Sequence, residues 1–147
     1  MERQTEALRS SLRTGSLYTE PDEQPAAASA DVGQPEPWTP ATLLNGWQSW
    51  GEDFAPVAFR RDQFGRVYLR GTLRGPANSG TATAAHMFTM PIGYRPANRI
   101  AFIVNDSNTD SMRIDVQSSG IVEVVPASQV TNTNFPSLNH ISFFTDQ

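Results

Sequence analysis

The chain has 147 residues, a net charge of −4 and no cysteine, and only 18% of its residues are charged. That excludes disulfides and thiolate chemistry, and it argues against general nucleic-acid binding, which wants a basic face. No apolar run reaches the length of a membrane span, and the Met-Glu-Arg-Gln start lacks the apolar stretch of a signal peptide, so membrane insertion is not expected.

Residues 2–14 read as a short helix. Glu2 and Glu6 suit its positive end, Arg9 and Arg13 its negative end, and Gly15 its stop. Met1, Thr5, Leu8 and Leu12 form a heptad-spaced seam, so residues 1–15 are expected to be a docking segment for a scaffold or for sister copies. Residues 16–42 follow as an extended arm. Pro21, Pro25, Pro35, Pro37 and Pro40 oppose regular structure, and the Ala26–Ala30 region gives little to bury. Trp38, between prolines, is expected to be a docking residue or a lone apolar contact where the arm meets the domain.

A β domain is expected over residues 43–147. Val57, Phe59, Val67, Leu69 and Leu73 alternate with Arg60, Arg66, Tyr68, Arg70 and Arg74, so one strand face is apolar and the other charged. Gly65 supplies the positive φ of the turn between the two runs. Strands are expected at 43–50, 55–62, 66–75, 82–90, 99–105, 110–117, 120–126 and 138–145. The near-continuous apolar run from Ile100 to Val104 suggests a strand covered on both faces. About eight short strands with turns between them imply an antiparallel β-sandwich or jelly-roll-like domain.

Chemistry-bearing groups are sparse. His86 and His140 lie on separate predicted elements without the ligand spacing of a zinc site. The Asn105–Asp110 turn offers oxygen ligands but lacks the glycine and distal glutamate of a calcium loop. Glu52 and Asp53 are adjacent, and neighbours in a turn usually point apart rather than converge as glycosidase acids do. No catalytic residue, metal site or cofactor is therefore assigned. The Arg60, Arg66, Arg70 and Arg74 stripe fits acidic sugars or phosphate, a solvated face, or acidic residues of a neighbouring subunit.

Three runs carry a resemblance: Leu44-Asn45-Gly46-Trp47, Phe54 to Asp62 with Gly65 to Gly71, and Met87 to Pro96. In this order they resemble a module at the C-terminal tip of bacteriophage tail-fibre and minor tail proteins, over about residues 43–126. The resemblance implies a non-enzymatic virion protein, displayed on the particle exterior as a β-sandwich homotrimer. Its N-terminal arm would attach to other virion proteins, and its β domain would contact the host surface, with a cell-wall glycan as ligand. Tyr94, Asn105, Asp106 and Asn108 are the expected receptor-binding residues, because aromatic and Asx side chains suit sugar hydroxyls. Leu8, Leu12 and Trp38 are the expected docking residues. A capsid decoration or head-fibre protein is the alternative.

Overall fold

The computed structural model describes residues 33–77, 81–106 and 110–146. The chain divides into two units, Met1–Gln34 and Pro35–Gln147, and every strand below belongs to the second. The expected helix at 2–14, with Leu8 and Leu12, and the arm up to residue 32 lie outside the described residues.

The second unit is built from short antiparallel strands. These are β1 (Thr39–Pro40), β2 (Gln48–Ser49), β3 (Ala58–Arg61), β4 (Arg66–Arg70), β5 (Leu73–Arg74), β6 (His86–Thr89), β7 (Ile100–Asn105), β8 (Ser111–Val116), β9 (Ile121–Val125) and β10 (Ser142–Phe144). One four-stranded sheet runs β1-β3-β4-β10, a second runs β6-β9-β8-β7, and β2 and β5 form a ribbon. In the second sheet three consecutive strands form a meander and β6 returns beside β9, a Greek-key arrangement.

The β3–β4 hairpin follows the period-two pattern. Phe59, Val67 and Leu69 are buried, and Arg60, Arg66, Tyr68 and Arg70 alternate with them. Its turn is fastened by the Asp62 carboxylate, which accepts the N–H groups of Phe64 (2.9 Å) and Arg66 (3.0 Å), with Gly65 at φ 84°. The inner faces of both sheets meet in one core around Phe88, Phe143, Leu69 and Ile114. Phe102 and Phe143 join the sheets with ring centroids 6.5 Å apart. Each such fully buried side chain contributes about 1.5–3 kcal/mol.

Four expectations change. The single strand over 66–75 is broken at Gly71, where φ is 108° and a Cβ would lie 2.6 Å from Val57 Cα. The chain must turn there for the backbone of residues 56–57 to approach, which no local pattern signals. The strand expected from residue 82 begins as one helical turn, α1 (Ala82–Ala85), because the Thr81 hydroxyl caps Ala84 N–H at 3.0 Å. The Ile100–Val104 run is not covered on both faces. It is an edge strand, with Ala101 exposed and Ile103 72% exposed. Finally, Thr39–Pro40 pairs with Phe59 and Ala58, so the sheet begins inside the segment read as arm. Proline is tolerated there because β1 is an edge strand.

Candidate functional site

Asn105 and Asp106 lie at the end of β7, on the link to β8, which begins at Ser111. Asn105 ends β7, with its backbone carbonyl accepting from Ser137 N–H at 2.9 Å. Asp106 is half-buried and holds a second loop. Its carboxylate accepts from Asn134 Nδ2 at 3.0 Å and from Phe135 N–H at 3.1 Å. Burial, opposed by these two hydrogen bonds and aided by the nearby Asp110 charge, raises its pKa above the ordinary 3.8. Asp106, Asp110, Ser111, Met112 and Gln129 line an open groove of about 430 Å³. Asn108 lies outside the described residues.

Tyr94 sits apart from the end of β7 in the structure's interactions. Its hydroxyl donates to Glu36 Oε1 at 2.5 Å, and its ring packs edge-on against Phe59 with centroids 5.1 Å apart. The Arg61 guanidinium lies 4.9 Å above the Tyr94 ring and pairs with Glu36 at 3.4 Å. The hydrogen bond to Glu36, with burial, raises the Tyr94 pKa above 10.0. Of the expected receptor residues, Asn105 and Asp106 thus lie together at the end of β7, and Tyr94 belongs to a cluster with Glu36, Phe59 and Arg61.

The outer face of the first sheet carries what sequence reading left open. Arg60 lies opposite Tyr68, while Arg66 and Arg70 flank Tyr68 on the same face of β4. Trp38 is stacked by two guanidinium groups, with Arg60 Cζ 4.3 Å and Arg70 Cζ 4.4 Å from its ring centroid. Arg66 lies 5.0 Å from the Phe144 ring and donates to Ser142 Oγ at 2.8 Å. On the separate β2–β5 ribbon, Arg74 lies 4.2 Å from the Trp50 ring, which in turn packs on Phe135 at 5.2 Å. Arg60 Nε and Arg70 Nε are buried without a hydrogen-bond partner. The Tyr68 hydroxyl donates to Asp62 at 2.9 Å, and this bond raises its pKa above 10.0. Stacking on aromatics was the unseen signal, because Trp38 and β4 are far apart in sequence.

The remaining candidates stay scattered. His86 Nε2 is 2.8 Å from Thr89 Oγ1 and borders a groove of about 470 Å³ with Asn45, Thr83 and Glu123. Glu52 and Asp53 are both exposed. Among the described residues no three His, Asp or Glu side chains gather as a metal site would need. On the outer face of the second sheet, Asp115 is fully covered (0% exposed) by Arg99 at 2.6 Å and Arg113 at 2.7 Å. Arg99 also reaches Glu123 at 2.8 Å.

No protein-family model matches the chain, and no curated protein sequence matches it. Among solved structures it is similar to the receptor binding protein (gp15) of Listeria phage PSA. That likeness spans 98% of both chains, with a TM-score of 0.63 and 17% sequence identity. At that identity the likeness is one of fold. The chain has the antiparallel all-β architecture seen in a phage receptor binding protein.

Proposed function

We propose that the chain is a non-enzymatic virion protein, a tail-fibre or tail-tip adhesin. The observation that carries this reading is the fold likeness to a phage receptor binding protein over nearly the whole of both chains. The motif order at Leu44–Trp47, Phe54–Gly71 and Met87–Pro96 supports it independently. In this reading the N-terminal segment attaches to other virion proteins and the β unit faces outward to the host. A cell-wall glycan is the ligand. The Asn105–Asp106 end of β7 and the adjoining groove offer it carboxylate, hydroxyl and amide groups from Asp106, Asp110, Ser111 and Gln129. Tyr94 serves less directly, since its hydroxyl is held by Glu36.

Copies assemble as a homotrimer. Ile103, 72% exposed on the edge strand β7, is an exposed apolar side chain, one of several with Ile92 and Phe64, that such an assembly would cover. Light scattering on the full-length chain tests this. A mass of three chains that falls on Ile103→Asp substitution is expected; a monomer at all concentrations would overturn the trimer.

A further inference from the structure

We infer that the outer face of the β1-β3-β4-β10 sheet is a docking surface for an acidic, extended segment of a partner protein. Within the adhesin reading, on which this rests, that partner is a neighbouring virion protein rather than the host.

Charge complementarity points to the partner's chemistry. Arg60, Arg66 and Arg70 lie on this face, and Arg74 follows on β5 of the separate β2–β5 ribbon, in a chain whose net charge is −4. No carboxylate among the described residues forms a salt bridge with any of the four; those ion pairs fall to Arg61, Arg99 and Arg113. Asp62, in the β3–β4 turn, gives its oxygens to the Tyr68 hydroxyl and to backbone N–H groups, and its charge also acts on Arg66 without a direct ion pair. The Nε–H groups of Arg60 and Arg70 are buried with no acceptor. Those two atoms are covered within the fold, and of the groups a partner could bring to the rest of each guanidinium a carboxylate pairs best.

The face is also stiff. Trp38 and Phe144 hold the guanidinium groups of Arg60, Arg70 and Arg66 against their rings, so little side-chain freedom remains to be lost on binding. An extended peptide presents side chains on one face about every 7 Å, near the diagonal spacing of cross-strand neighbours such as Arg60 and Arg70. Position favours a virion partner. Trp38 follows Pro35, the first residue of this unit, by three positions, so in sequence the face adjoins the segment proposed to attach.

The test is calorimetric titration of the full-length chain with a glutamate-rich peptide, with a polyphosphate chain and a neutral glucan in parallel. Peptide binding that weakens with salt is expected, and it should fall at least about tenfold in the double variant Arg66→Gln, Arg74→Gln, which leaves the Trp38 stack intact. A melting curve checks that the variant is folded. Unchanged peptide binding in that variant and in Arg60→Gln, Arg70→Gln would overturn the inference. So would tight polyphosphate binding without peptide binding, which would assign the face to a phosphate polymer. Adsorption of the labelled chain to host cells separates the two readings. Adsorption without peptide binding overturns only this inference, and peptide binding without adsorption overturns only the adhesin.

Discussion

The Trp38 indole is stacked with the Arg60 guanidinium, whose Cζ lies 4.3 Å from the ring centroid, and Arg70 meets the same ring at 4.4 Å. The residue read as arm is thus fastened to the sheet, beside the Thr39–Phe59 pair of β1 and β3. Trp38→Ala removes both stacks, and a loss of about 1–3 kcal/mol is expected in urea unfolding. Truncation separates the contributions further. A chain starting at Pro35 should keep full stability, whereas one starting at Leu43 loses Trp38, β1 and the Glu36 contacts to Arg61 and Tyr94, and should unfold at lower urea.

Asp115 gives the clearest pH dependence. Burial pushes its carboxyl up, but the hydrogen bonds and charges of Arg113 and Arg99 outweigh this and hold it below the ordinary 3.8. The folded state therefore binds fewer protons than the unfolded state in that window. Its stabilisation is complete above pH 3.8 and is lost as the pH falls through the folded value. Asp115→Asn should flatten the acid limb of the stability profile and cost about 1–3 kcal/mol at neutral pH, since both arginines remain half-exposed.

Asp106 has the opposite sign. Burial, the largest influence, raises its pKa above 3.8, so the fold favours the protonated form. Its contribution turns unfavourable as the pH rises through the window above 3.8. An NMR titration should place Asp106 above the ordinary aspartate range. Asp106→Ala leaves the Asn134 amide without its acceptor and should cost about 1–2 kcal/mol. Because Phe135 packs on Trp50, the same variant should shift tryptophan fluorescence.

Gly71 is the point where the strand from β4 must yield. At φ 108°, with Val57 Cα 2.6 Å from any added Cβ, Gly71→Ala demands both backbone strain and displacement of residues 56–57. A loss of about 2–4 kcal/mol is expected in thermal or urea unfolding. A neutral result would mean that the β4–β5 junction relaxes freely.

The legible parts of this fold are those with local period. Val67-Tyr68-Leu69 and Met112-Arg113-Ile114 alternate cleanly, and both became strands with the expected faces. Ile100–Val104 misled because an apolar run does not say what covers it, and here part of it is left exposed at a sheet edge. The Gly71 break, β1 and the Thr81-capped turn depend on residues far along the chain or on one hydroxyl, so periodicity could not reveal them. The candidate site divided the same way. Asp106 in its Asx-rich turn was visible from composition, but the stacking of Arg60 and Arg70 on Trp38 required the folded sheet.

The most direct measurement is immunogold labelling, with an antibody to the β unit, of virions assembled from the genome that encodes this chain. The account predicts gold at the distal end of the tail and loss of adsorption when the antibody is bound. Gold spread over the capsid, with adsorption intact, would contradict it and assign the chain to the head surface instead.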